Sequence, residues 1–159
     1  TAKHFMTLTK PKIVFTDEAY TKMIGEVAVE CNVNFKIIVF DKKSNYETFG
    51  NALGKFTRSE VEGFQCTQLS SMNEPAYIEY TSGSTGLPKG ALHSHKSLFG
   101  NIMNVNTFSG HNHVILCYSN LCWITGVLCT LSAISSYNTR VMAKAFTPEN
   151  MCQIVEKYK

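Results

Sequence analysis

Ala76-Tyr77-Ile78-Glu79-Tyr80-Thr81-Ser82-Gly83-Ser84-Thr85-Gly86-Leu87-Pro88-Lys89-Gly90 is the stretch on which the reading of this chain turns. Ala76 to Tyr80 is a short aromatic and aliphatic run, the pattern of a strand. The ten residues that follow hold four hydroxyls, three glycines and one lysine. Glycine lets the backbone approach a ligand closely and reach positive φ. Hydroxyls and successive free N–H groups donate, and together they form an anion nest. Lysine adds a point charge suited to phosphate. A flexible linker has this composition too, but a linker does not follow a strand so tightly or close in Leu87-Pro88-Lys89-Gly90. A Walker A loop needs G-x-x-x-x-G-K-[ST]. Here Pro88 precedes the lysine and Gly90 follows it, so no hydroxyl is placed for a metal and a P-loop kinase or GTPase is disfavoured.

Strands and helices alternate outward from this loop. Lys12 to Thr16 reads as a buried strand and Asp17 as a helix N-cap. Met23, Ile24, Val27 and Ala28 form a helical stripe, and Phe35 to Phe40 a second strand. Residues 1–41 are thus a βαβ unit, whose connection predicts a parallel pair. Residues 42–73 read as a surface connector with a short helix over 45–53. Residues 74–159 form the half that carries the loop. In it helical spacing resumes at Leu98, Ile102 and Val105. Val114 to Tyr118 reads as a buried strand, Leu121 to Ile134 as a buried helix, and Arg140 to Ala143 as a strand. Thr147 is placed to cap a last helix, with Pro148 at its first position and Glu149 in its first turn. The expected class is α/β with a mainly parallel sheet.

Composition narrows the function. The 159 residues fit about one domain. A net charge of +3 is too mild to argue for nucleic acid. Only 17% of residues are charged against about 25% in ordinary soluble domains. Residues 97–139 contain no Asp, Glu, Lys or Arg. That run suits the centre of a large core, in part the wall of a cleft for an apolar ligand. The apolar stretch 121–134 is too short for a membrane span, which needs about 18–20 residues. Six scattered cysteines without C-x-x-C spacing suggest a reduced intracellular protein. His111, His113 and Cys117 fit no closed zinc pattern. Starting at Thr1 and stopping at Lys159 inside a helical pattern, the chain reads as an internal piece of a longer protein.

The stretch Tyr80 to Gly90 closely resembles the AMP-binding signature of the adenylate-forming enzymes, which include acyl-CoA synthetases, beetle luciferases, coumarate ligases and peptide-synthetase adenylation domains. Leu8-Thr9-Lys10-Pro11-Lys12-Ile13-Val14-Phe15, the strand 36–40 and Ala91-Leu92-His93-Ser94-His95 share the resemblance, which is strongest to insect luciferase-like acyl-CoA synthetases. It implies part of the large N-terminal domain of such an enzyme. It also implies a two-step reaction: a carboxylic, fatty-type acid becomes an acyl-adenylate at the expense of ATP, then passes to coenzyme A. By resemblance Thr81, Ser82, Gly83, Ser84, Thr85, Gly86, Leu87, Pro88 and Lys89 bind the nucleotide phosphates. Mg2+ is the implied cofactor, and the remainder of the parent chain the implied partner. Spacing puts the family's acid-pocket aromatic on Trp123, in Leu121-Cys122-Trp123-Ile124-Thr125-Gly126. Beetle luciferases and coumarate ligases carry a His-containing stretch there, and W-I-T-G instead resembles acetyl- and medium-chain acyl-CoA synthetases. Simple core packing is the competing reading of Trp123, and His95 is a helix-entry residue without assigned role.

The family's Y-G-x-T-E segment, its T-G-D segment and its C-terminal catalytic lysine motif do not occur in these residues. No catalytic residue is therefore assigned, and the chain alone is expected to be inactive. A truncated homologue that binds only phosphate or lipid is the alternative. The compartment is cytoplasmic or peroxisomal, since a peroxisomal signal would sit at a C-terminus beyond this piece.

Overall fold

The computed structural model describes residues 2–83, 86–143 and 146–158. They form two compact units, residues 1–68 with 83–88 and residues 69–82 with 89–159.

In the first unit, helix α1 (Ala2–Thr9) leads into strand β1 (Ile13–Thr16). A 3₁₀ turn, Glu18–Tyr20, then opens helix α2 (Thr21–Cys31), and strand β2 (Lys36–Val39) follows. β1 and β2 pair in parallel, Ile13 opposite Lys36 through Thr16 opposite Val39, as the βαβ reading expects. Asp17 stands before the 3₁₀ turn but its side chain makes no capping bond. Asp41, at the end of the neighbouring strand, accepts from the Glu18 N–H at 2.6 Å instead. Asn32 ends α2 in the left-handed conformation at φ +51°, which Asn tolerates better than most side chains. Of the apolar stripe on α2, Ile24 is buried and Met23 is exposed.

The connector is more ordered than its composition suggests. Glu47–Thr48 adds a third parallel strand, β3, beside β2, and helix α3 (Phe49–Leu53) follows at once. Helix α4 (Arg58–Glu62) has a capping box: Thr57 accepts from the Glu60 N–H and Glu60 reaches back to the Thr57 N–H. Glu47 is gripped by Lys36 and Lys55, whose ammonium groups hold its carboxyl below the usual carboxylate range.

β1 is not buried as its sequence predicts. Ile13 and Phe15 are exposed, and Phe15, Phe40 and Phe49 gather on one open face with ring centroids 5.6–6.2 Å apart. An apolar β-branched run marks a strand, but it does not report how many of its faces are covered.

In the second unit, strand β4 (Pro75–Thr81) pairs with β5 (Lys89–Ser94) and helix α5 (His95–Ser109) follows, capped by Ser94. His95 is its first residue. β6 (Val114–Leu116) and β7 (Thr139–Val141) pair in parallel, with helix α6 (Ile124–Ser135) between them in sequence. Helix α7 (Pro148–Tyr158) begins at Pro148, and Thr147 accepts from the Asn150 N–H at 3.1 Å, as the capping reading expects.

Two expectations need correction. The sequence pattern marks no strand between the loop and the helix that resumes at Leu98, yet β5 forms there and runs antiparallel to β4. Lys89-Gly90-Ala91-Leu92-His93-Ser94 lacks β-branched and large aromatic residues, so its strand character comes from pairing with β4 and not from propensity. The stretch 121–134 is not a fully buried helix. α6 buries Gly126, Val127, Ser132 and Ala133, whereas Leu121, Trp123 and Ile134 are exposed in this chain. A lack of charge does not by itself mean burial within these 159 residues.

Candidate phosphate loop and acid-pocket lip

The loop joins the two strands of a β-hairpin. Across β4 and β5, Tyr77 faces His93, Glu79 faces Ala91, and Thr81 faces Lys89 as the last registered pair. The Thr81 hydroxyl donates to the Lys89 carbonyl at 3.4 Å, which ties the two strand ends together. Thr81, Ser82 and Lys89 are exposed. Among the described residues no carboxylate pairs with the Lys89 ammonium. Lower in the hairpin, Glu79 and His93 lie 3.7 Å apart on partly buried side chains, and the Tyr77 ring lies 6.1 Å from that of His93. Burial, then the charge of Glu79, pushes the Tyr77 hydroxyl above its usual range. It remains a neutral donor and binds the Leu121 carbonyl at 3.2 Å.

Within the first unit, Gly83 takes φ +58° and sits so close to the Leu87 carbonyl that a Cβ would lie 2.8 Å from its oxygen. Only glycine satisfies both conditions. The Pro88 carbonyl accepts from His4 Nε2 at 2.7 Å, which fixes that nitrogen as protonated. Gly86 and Leu87 are exposed. Ser84 and Thr85, also assigned to the phosphate loop, lie outside the described residues.

The hairpin end thus offers exposed hydroxyls and an ammonium that no described carboxylate neutralises, and Gly83 holds a backbone angle and a close approach that only glycine allows. Such donors are of the chemical kind that suits a polyanion. Among the described residues, no group of three His, Cys, Asp or Glu is placed for an ion. No residue of this chain is assigned to Mg2+.

The second feature is the loop between β6 and α6. Asn120 organises it. Its side-chain oxygen accepts from the Cys122 N–H at 3.0 Å and its carbonyl from the Trp123 N–H at 3.2 Å. Arg140 donates to the Ser119 carbonyl at 2.8 Å, and Tyr77 anchors Leu121 from the hairpin. Trp123 occupies the N-cap position of α6 in an extended conformation, with its side chain making no capping bond. Tyr118, Ser119, Asn120 and Trp123 line a cavity of about 360 Å³. Trp123 is 62% exposed, which excludes core packing as its role within this chain. Sequence reasoning singled out Trp123 through the family resemblance, with spacing locating it. It missed Tyr77 and Asn120, because nothing local marks a tyrosine or an asparagine as the anchor of a distant loop.

The family model described as AMP-binding enzyme matches residues 1–159. The chain belongs to the AMP-binding enzyme family. Among sequence relatives, it is 26% identical over 163 residues to the Humulus lupulus protein named Probable CoA ligase CCL5, covering 97% of this chain. It is 27% identical over 160 residues to the 4-coumarate–CoA ligase of Vanilla planifolia, covering 93% of this chain. The chain spans 28% of the length of each of these ligases. Among solved structures, it superposes on the luciferase-like enzyme of the nonluminescent mealworm Zophobas morio with a TM-score of 0.81 at 28% identity, covering 98% of this chain and 36% of that one. The hairpin loop of this AMP-binding chain is the signature its sequence resembles, and the mixed α/β architecture with parallel pairs agrees with the fold expected from it.

Proposed function

We propose that this chain supplies the phosphate-gripping hairpin and one lip of the acid pocket in an ATP-dependent acyl-CoA synthetase. The observation that carries the reading is the end of the hairpin, where Thr81 and Lys89 face each other and the Lys89 ammonium meets no described carboxylate. The names of the two ligases above support coenzyme A as the acceptor.

In the first step a carboxylate oxygen attacks the α-phosphorus of ATP, and the bond to the bridging oxygen breaks to release pyrophosphate. The loop donors and Lys89 meet the β- and γ-phosphates, where negative charge accumulates as pyrophosphate leaves. In the second step the coenzyme A sulfur attacks the acyl carbonyl and AMP departs. The loop 119–123 forms the lip of the pocket, with the Trp123 ring at its mouth. Since the residues that serve adenine and ribose in the family lie in segments absent from these 159, the activity belongs to the longer protein of which this is a part. We place that protein in the cytoplasm or the peroxisome.

Incubating the full-length protein with ATP, coenzyme A and carboxylic acids of about two to sixteen carbons, then identifying products by mass, tests this reading. Acyl-CoA, AMP and pyrophosphate are expected. ADP as product would overturn it, and no nucleotide turnover or thioester with any acid would favour a binding module without turnover.

Trp123→Ala in the same protein is expected to shift preference toward longer or bulkier acids. Each additional buried methylene contributes about 0.8 kcal/mol, so room for two or three changes relative kcat/KM by over about tenfold. A large loss of stability with the profile intact would instead assign the ring to core packing in the longer protein. An unchanged chain-length profile would remove Trp123 from the pocket.

A further inference from the structure

Tyr77 belongs to the hairpin by its backbone, but its side chain leaves it. Across β4 and β5 the register steps from Pro75 opposite Ser94 to Tyr77 opposite His93, so Ala76 has no partner. An extra residue of this kind bends its strand and re-aims the side chains beside it. Successive residues of a regular strand point to opposite faces. Ala76 and Tyr77 instead line the same apolar cavity of about 510 Å³, with Leu98 on α5 and Val127 and Leu131 on α6. From there the Tyr77 hydroxyl reaches a segment 44 residues away in sequence and donates to the Leu121 carbonyl at 3.2 Å.

Leu121 lies in the loop 119–123, whose backbone is fixed at three places. Asn120 closes it from within, through the N–H groups of Cys122 and Trp123. Arg140 holds the Ser119 carbonyl from β7. Tyr77 ties the loop to β4, the strand that ends at Thr81. Trp123 follows in an extended conformation, its side chain exposed and without a capping bond. With most of the ring open to solvent, the backbone of the loop sets where the ring sits.

We infer that Tyr77 is a positioning residue that sets the acid-pocket lip against the phosphate hairpin and, through Trp123, takes part in the choice of acid. This rests on the function proposed above. One strand carries both Tyr77 and, four residues later, Thr81 at the start of the phosphate loop. The register of β4 therefore fixes the lip and the phosphate donors together. A carboxylate reaches the α-phosphorus only from a narrow range of positions, and a misplacement of about 1 Å is costly. A lip released from Tyr77 holds the acid less well and discriminates less between acids of different length. The grip on ATP depends instead on the loop and on the closure of Thr81 against Lys89, which the Tyr77 hydroxyl does not touch.

Tyr77→Phe removes the hydroxyl and keeps the ring beside His93 and in the cavity wall, and a melting curve checks that the variant is folded. Acid-dependent exchange of labelled pyrophosphate into ATP is measured in the full-length protein, with acid and ATP varied in turn. The acid KM is expected to rise about three- to tenfold, the effect of one hydrogen bond. The ATP KM is expected to stay within about twofold. Preference among acids of about two to sixteen carbons is expected to flatten. In a Trp123→Ala background the same substitution is expected to change that preference by less than about twofold, since a residue that acts through the ring has nothing left to position. An active wild type whose two KM values are unchanged by Tyr77→Phe, or rise together, would overturn this inference and leave the proposed function standing. Full additivity with Trp123→Ala would do the same. A wild type without acid-dependent exchange would overturn both.

Discussion

Gly126→Ala is expected to destabilise the second unit by about 3 kcal/mol or more, among the larger costs of a single methyl group. A Cβ at Gly126 would lie 2.0 Å from the Asn120 carbonyl oxygen, 2.6 Å from its carbon and 2.8 Å from the Ser119 oxygen. All three obstacles are backbone, so no side chain can turn away to make room. Overpacking ordinarily costs about 1–3 kcal/mol, more where the backbone itself must move. The obstructed atoms belong to the loop that holds Trp123, and Ser119 is pinned by Arg140. The same substitution therefore displaces the Ser119–Trp123 loop as it weakens the packing of α6. Thermal melting of Gly126→Ala beside Thr125→Ala, at the exposed neighbouring position, checks this. A fall of more than about 10 °C in Tm is expected for the glycine variant and a small change for the threonine variant. Equal Tm values would show that the loop and α6 adjust freely.

Lys89→Ala in the full-length protein is expected to slow acyl-adenylate formation by about 10–100-fold. This corresponds to the loss of one charge-assisted phosphate contact, about 1.5–3 kcal/mol. Lys89 closes the hairpin register opposite Thr81, so its backbone is fixed while its ammonium is free of any described carboxylate. The substitution should therefore remove charge without disturbing the strand pair. Lys89→Arg retains the charge with different reach and should fall between. A wild-type rate in Lys89→Ala would assign phosphate binding to the loop N–H groups and hydroxyls alone.

Chemistry that needs particular residue types is legible in the sequence. The glycines and lysine of the loop stand out because close backbone approach needs glycine and phosphate needs a cation, and Gly83 indeed combines a positive φ with a close carbonyl. The β1–β2 pair and the Thr147 cap are legible because β-branched runs and capping residues act locally. What depends on partners far away in the chain is not legible. β5 forms from residues of poor strand propensity because β4 offers it a register, and β3 is only two residues long. The hydrophobic patterns of β1 and α6 identify the elements but not their covered faces, so Phe15 on β1 and Ile134 on α6 stand exposed where the pattern predicts burial. Trp123 is singled out by the family resemblance, and the structure places it beside a small cavity. The anchors that hold its backbone, Tyr77 and Asn120, leave no local signal, since Tyr77 acts from another element and the Asn120 bonds exist only once the loop has folded.

In the proposed reaction the hairpin loop at 81–89 holds the phosphates of ATP while a carboxylic acid is activated. Exchange of labelled pyrophosphate into ATP by the full-length protein measures that step alone, before coenzyme A is involved. Exchange is predicted to depend on added carboxylic acid, to fall about 10–100-fold in Lys89→Ala, and to stay at background for the 159-residue chain by itself. Exchange that proceeds without acid, is unaffected by Lys89→Ala, or is catalysed by the isolated chain would contradict it.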